Sequence, residues 1–233
     1  MCRGRPVGIK EGARTASVSA MDTVNTTPPG GSAALYDALM WPFERLVIGE
    51  WRRRLGAAAS GGVLEIGAGT GGQFPWYSAG VRVVALEPDG EMARRARRRA
   101  AHAAADVQVV EGAAEALPFT AGSFQTVVST FSLCTVRDPA AALAEARRVL
   151  VPGGRLLALE HVHLAWQPGR RLQSWAAPAW AAAAGGCRLD RDTGGLVHEA
   201  GFVGVTQRSH VLGWIVELAA CSPLGLHVPP HSD

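Results

Sequence analysis

The chain of 233 residues has a single lysine, Lys10, and only two tyrosines. Every other basic residue is arginine, as codon bias in a GC-rich genome would produce, so arginine clusters carry little functional weight alone. No run of about 18 apolar residues is present, which excludes a membrane-spanning helix. No internal repeat occurs, which excludes a solenoid or propeller. The four cysteines, Cys2, Cys134, Cys187 and Cys221, form no C-x-x-C pair. Their spacing indicates neither a zinc site nor a disulfide framework, so no metal is expected, and it fits a reducing cytoplasm. An excess of one charge is also missing: 23 basic residues stand against 20 acidic ones, a net charge of +3. That excess lies in residues 1–20, where Arg3, Arg5, Lys10 and Arg14 face Glu11 alone; from Met21 onward the counts are 19 and 19. A neutral body excludes a general nucleic-acid footprint, and no nucleic-acid partner is expected.

What is present suits one globular domain, with 48% hydrophobic and 18% charged residues. Residues 1–31 are polar, rich in Gly and Pro, and without the apolar centre of a signal peptide, so they are expected to form a disordered leader. Met21 is an alternative start. Residues 32–228 are expected to form the folded domain and residues 229–233 a tail.

Helix and strand patterns alternate along that domain. Strands are expected at 63–66, 81–86, 107–110, 124–130, 155–160, 203–211 and 224–228. Helices are expected at 32–57, 72–79, 90–104, 138–150, 170–185 and 193–200. Several strands are almost wholly apolar, as in a parallel sheet covered by helices on both faces. The fold class is α/β: a single Rossmann-like, doubly wound domain. The arginine-rich stretch from Glu91 reads as a helix with its small apolar residues packed inward and a solvated basic face. Peripheral contact with an anionic membrane surface is the alternative use of that face.

The segment "VLEIGAGTGG", residues 63–72, runs from a strand into a glycine cluster. Read as Gly67-x-Gly69-x-x-Gly72, it is a dinucleotide fingerprint; read as Gly67-x-Gly69-x-Gly71, it is a loop for a sulfonium nucleoside. Such a loop lets backbone approach a ligand at the carboxyl end of the sheet. Glu87 ends the second strand, where a carboxylate can accept both ribose hydroxyls of either ligand. Bulky Phe74, Trp76 and Tyr77 with Pro75 follow the loop and suit a close-packed pyrophosphate helix poorly. The loop alone leaves the choice open.

Three downstream motifs decide it: Leu117-Pro118-Phe119, Ser123-Phe124-Gln125, and Arg148-Val149-Leu150-Val151-Pro152-Gly153-Gly154. In this order they resemble the class I S-adenosylmethionine-dependent methyltransferases of the ubiquinone and menaquinone biosynthesis type, methyltransferase type 11. "STFSLCTV", "LEHV", "PAW" and "GGCRLDRDT" are further similar to the animal thiol methyltransferases of the methyltransferase-like seven group and their bacterial relatives. Those animal proteins carry an N-terminal membrane anchor that this chain does not show.

The resemblance implies a seven-stranded, mostly parallel sheet with one antiparallel strand near the C-terminus, and S-adenosyl-L-methionine as cofactor. It assigns cofactor contacts to Glu65, Gly67, Ala68, Gly69 and Gly71, to Glu87 and Pro88, and to Ser129, Thr130 and Phe131 after strand four. Many relatives place an aspartate where this chain has Ala113. The adenine site is therefore expected to use backbone and apolar packing at Ala113, Ala114 and Glu115. The acceptor is expected to be a small, fairly hydrophobic molecule: a thiol first, then a hydroxyl or an amine. Glu160 and His161, ending strand five, and Tyr36, in a leading helix that closes over the site in relatives, are the catalytic candidates. His161 is the better base by its ordinary pKa. Cys134 reads as a small buried hydrophobe. Trp166, Trp175, Trp180 and Trp214 either line an acceptor pocket or form an aromatic core. A non-catalytic cofactor-binding protein of the same fold, or a nicotinamide-dependent oxidoreductase, is the alternative function.

Overall fold

One seven-stranded sheet with the spatial order β3-β2-β1-β4-β5-β7-β6 organises the chain. The computed structural model describes residues 48–183 and 186–224. Its strands are β1 (Gly62–Ile66), β2 (Arg82–Glu87), β3 (Asp106–Glu111), β4 (Phe124–Thr130), β5 (Leu150–His161), β6 (Val203–His210) and β7 (Ile215–Cys221). The described helices are α1 (Gly49–Ala58), α2 (Gly90–Ala100), α3 (Pro139–Val149), α4 (Gln167–Ala183) and α5 (Thr193–Glu199). Strands β1 to β5 pair in parallel, whereas β7 runs antiparallel to both β5 and β6. The expected single antiparallel strand is therefore β7.

Alternation along the central strands divides the core between the two faces. Leu64, Val127 and Leu156 pack on one face with Leu143, Ala146 and Val149 of α3. Their chain neighbours Val63, Val128 and Leu157 pack on the other with Leu55 of α1 and Phe74. Each fully buried Leu or Val contributes about 1.5–3 kcal/mol. The helices start where the sequence supplies caps. Asp89 accepts from the Met92 N–H at 2.8 Å, and Asp138 accepts from the Ala141 N–H at 3.0 Å with Pro139 in the first turn. These side chains satisfy amides that helix geometry leaves unpaired.

Two elements differ from expectation. Instead of a helix over 72–79, the chain makes one 3-10 turn, Phe74–Trp76. Gly71 is left-handed at φ +87°, Pro75 lies in the turn, and the Phe74 ring is fully buried beneath the glycine. The last strand is β7 at 215–221 rather than 224–228, of which 225–228 lie outside the described residues. Its sequence, IVELAAC, is rich in helix formers, but pairing on both edges overrides propensity. Of the leading helix expected at 32–57, α1 is the described part.

The sheet order reverses direction at β1 and β4. Connections there leave toward opposite faces and open a crevice at the strands' carboxyl ends. The glycine loop, Glu87, the turn after β4 and the end of β5 all lie along this edge.

Candidate active site

The glycine loop begins where β1 ends. Gly67, Gly69 and Gly71 all have left-handed backbones, with φ of +63°, +58° and +87°. Two of them also answer to packing. A Cβ on Gly67 would lie 2.0 Å from Ser132 Oγ, and one on Gly71 would lie 2.6 Å from the Phe74 ring. Gly69 differs: the nearest atom to its Cβ position is Met92 Sδ at 4.0 Å, so this part of the loop faces open space. The loop is tied down by Ala68 N–H to Leu86 O at 3.0 Å and Gly71 N–H to Ala68 O at 2.9 Å. Gly72 has no left-handed backbone; a Cβ there would meet the Arg52 guanidinium at 3.4 Å.

Two buried carboxylates flank the loop. Glu87 accepts the Gly69 N–H at 2.7 Å on Oε2 and the Asp89 N–H at 3.0 Å on Oε1. Burial raises its pKa, and those backbone bonds oppose the rise. Each oxygen keeps a lone pair for another donor. Pro88, beside it, is exposed.

Glu65, fully buried on β1, accepts the Tyr77 hydroxyl at 2.9 Å through Oε2. Its Oε1 has no hydrogen-bond partner among the described residues. Burial pushes the carboxyl up to about 7, against the Tyr77 bond and the Arg52 charge, while Glu87 adds to the rise. A buried acceptor left without a donor is costly and asks for a ligand.

Arg52 was not identified by sequence reasoning. It is 6% exposed, donates to Thr130 Oγ1 at 3.1 Å and lies 5.8 Å from the Phe131 ring centre. The signal lay in α1, where an arginine occupies a position on the helix's buried face. The sequence's many surface arginines hid it.

The turn after β4 is strained and strongly held. Phe131 adopts φ +56°, uncommon for an aromatic residue, while its N–H donates to Leu159 O at 2.7 Å. Glu160 organises this turn. Its Oε1 accepts Ser129 Oγ–H at 2.5 Å, Ser132 N–H at 3.2 Å and Leu133 N–H at 3.1 Å, and its Oε2 accepts Cys134 N–H at 3.0 Å. Ser129 is thus committed to Glu160. Burial raises the Glu160 pKa, with those bonds opposing. This fully buried carboxylate, with four hydrogen bonds, braces the turn after β4.

His161, at the end of β5, packs its ring against Phe131 with centres 4.6 Å apart. Its Nδ1 faces two sulfurs, Cys187 Sγ at 3.5 Å and Cys134 Sγ at 3.8 Å. Cys134 is buried, as expected, but not among apolar groups alone. The hydrogen bond between the two sulfurs and burial push the Cys134 pKa up, whereas the same hydrogen bond and the contact with His161 bring the Cys187 thiol down. No motif spacing announced this group.

Ala113, Ala114 and Glu115 follow the carboxyl end of β3, where the Gly112 N–H donates to Glu87 O at 3.3 Å. Ala114 packs in the core, Ala113 is exposed, and Glu115 accepts the Arg137 and Asp138 N–H groups at 3.0 and 3.4 Å, ahead of α3. Trp166 and Trp175 are exposed by 69% and 80%, so neither forms an aromatic core. Trp180 and Trp214 tilt against each other at 6.5 Å. Tyr36 lies outside the described residues.

Residues 64–158 match the family described as "Methyltransferase domain". The chain is 39% identical over 125 residues to the demethylmenaquinone methyltransferase of Renibacterium salmoninarum, a match spanning 52% of this chain and about half (51%) of that protein. It is 31% identical over 185 residues to human thiol S-methyltransferase TMT1B, covering 74% of this chain and 70% of the relative. Among solved structures, an S-adenosylmethionine-dependent methyltransferase from Thermotoga maritima aligns with a TM-score of 0.55 and 24% identity, covering 78% of this chain and 99% of that one. At that identity the likeness is one of fold.

Proposed function

The chain belongs to the class I S-adenosylmethionine-dependent methyltransferases, and from that premise we propose that it methylates a small, fairly hydrophobic thiol. The observation carrying the cofactor half is the orphaned Glu65 Oε1 at the carboxyl edge of the sheet. A ligand ammonium is the group that satisfies this oxygen and holds the carboxyl ionised. Glu87 has lone pairs for the ribose hydroxyls, and the open side of Gly69 gives a ligand room beside them. The residues present therefore fit S-adenosylmethionine. When bound, it supplies an electrophilic methyl carbon together with its own leaving group.

The chain's own residues position and desolvate. Glu65 and Glu87 fix the two ends of the cofactor's polar part. The turn at Ser129, Thr130 and Phe131, braced by Glu160 and Arg52, shapes the edge where the methyl group is presented. Ala113 and Ala114 border the adenine. Glu160 commits four hydrogen bonds to the turn after β4 and serves there as a brace rather than as the base. That favours an acceptor that ionises with little help. A thiol, with an ordinary pKa of about 8.5, does so; an alcohol does not. The thiol methyltransferase relatives support the same choice.

Titration calorimetry with S-adenosylhomocysteine and with NADH tests the cofactor assignment. Binding of the first and none of the second is expected. Affinity for NADH alone would overturn it.

A further inference from the structure

Cys134, His161 and Cys187 lie 27 and 26 residues apart in the chain, so no local motif links them. The fold nevertheless brings their donor atoms into a triangle. The edges are 3.5 Å between the two sulfurs, 3.5 Å from Cys187 Sγ to His161 Nδ1, and 3.8 Å from Cys134 Sγ to His161 Nδ1. Tetrahedral zinc, with bonds of about 2.3 Å to sulfur and about 2.05 Å to nitrogen, separates its ligands by about 3.8 Å for S–S and about 3.6 Å for S–N. Each edge lies within about 0.3 Å of those values. Both cysteines are free thiols, so their sulfurs remain available as donors.

Each donor is held by a different anchor. Cys134 sits in the turn that Glu160 braces, its own N–H donating to that carboxylate. Arg188 N–H donates to Cys134 O at 2.7 Å and so fixes the adjoining Cys187 against the same turn. The His161 ring is backed by Phe131. Arg191 clamps the turn further by donating to Leu133 O and to Val136 O. Leu189 and Phe131 supply an apolar wall around the sulfurs. Two thiolates and one imidazole are soft and borderline donors and suit zinc rather than magnesium or calcium. Two thiolates also neutralise a divalent ion, which suits burial.

We infer that Cys134, His161 and Cys187 form a zinc-binding site with three protein donors and a fourth position for an exchangeable ligand. Among the described residues the group contains three donors, the arrangement of zinc sites that keep an open position. It stands at the carboxyl ends of β4 and β5, the edge that carries the cofactor cradle. A thiolate is the fourth ligand that a soft site prefers, and zinc binding moves the acceptor's S–H proton to solvent while an S–Zn bond forms. This last extension rests on the thiol reading above.

The test uses the full chain, purified reduced, stripped with a chelator, loaded with zinc or cobalt(II), and gel-filtered before metal analysis. One metal per chain is expected. The cobalt form should show tetrahedral d–d bands and a thiolate-to-cobalt charge-transfer band. Cys134→Ala and Cys187→Ala should lose the metal while still binding S-adenosylhomocysteine. Cys187→His, which keeps a donor, should hold cobalt with a weaker charge-transfer band. A wild-type chain with no bound metal, with Cys134 and Cys187 either reacting fully as thiols or joined as a disulfide, would overturn the site. So would metal retained by the Cys134→Ala/Cys187→Ala double variant. Adding an alkyl thiol to the cobalt form should intensify the charge-transfer band; an unchanged spectrum, or equal thiol turnover by zinc-free enzyme, overturns the fourth-ligand extension. Bound zinc with no thiol turnover would instead count against the thiol reading and leave the metal site standing.

Discussion

Replacing Glu65 by glutamine keeps the side chain's shape and removes its ionisation. The wild-type carboxyl is raised from 4.5 to about 7 by burial. The folded state therefore binds the proton more tightly than the unfolded chain does, and stability contributed by this group falls as pH rises between those two values. At pH 8 the ionised, buried carboxylate costs the cofactor-free protein about 3 kcal/mol; at pH 5 the cost is below about 1 kcal/mol. Glu65→Gln relieves it, because an amide oxygen still accepts the Tyr77 hydroxyl. In differential scanning calorimetry the variant should melt roughly 5–10 °C higher than wild type at pH 8 and close to it at pH 5. Cofactor affinity should move the other way. Losing a charge-assisted bond to the ligand ammonium costs about 1.5–3 kcal/mol, roughly 10- to 150-fold in Kd for S-adenosylhomocysteine by calorimetry. Such opposed signs mark a residue kept for binding at the expense of stability. A variant that is less stable at pH 8, or that binds with unchanged affinity, would refute the reasoning.

Other consequences are equally open to measurement. Glu87→Ala removes the acceptor for ribose and for Gly69 N–H, and should weaken S-adenosylhomocysteine roughly 10- to 100-fold; unchanged affinity would place the ribose elsewhere. Glu160→Gln puts an amide NH2 opposite backbone donors in the 131–134 turn, and should destabilise the protein by about 2–4 kcal/mol in urea unfolding. A change in rate with no loss of stability would restore Glu160 as a base. Gly67→Ala drives a methyl into Ser132 Oγ at a left-handed position; cofactor binding should fall sharply, and Ser132→Gly in the same chain should recover part of it.

Much of this was legible in the sequence, and the reasons are local. Mostly apolar runs such as residues 81–86 report strands buried on both faces, and the helix patterns that alternate with them report the cover. Glu65, the glycine triplet and Glu87 follow each other in one strand-loop-strand unit, so their proximity is readable. What escaped depends on tertiary packing. Gly67 and Gly71 look like ligand-facing glycines in sequence, yet a serine from the turn after β4 and the Phe74 ring also require them. Glu160 reads in sequence only as a catalytic candidate beside His161; that three backbone amides and a serine converge on it depends on the fold. Arg52 and the Cys134–His161–Cys187 triangle are assembled from segments far apart in the chain. β7 escapes a sequence reading because Glu, Leu and Ala dominate it, and only its two neighbouring strands make it extended.

The most direct measurement is transfer itself. Full-length protein, incubated with S-adenosylmethionine labelled in its methyl group and a panel of alkyl thiols, alcohols and amines, is followed by mass spectrometry. The account predicts labelled thioether and S-adenosylhomocysteine in equal amounts, with thiols turned over before alcohols or amines, and with loss of turnover at sub-saturating cofactor in Glu65→Gln. Tight cofactor binding with no labelled product from any acceptor would contradict it.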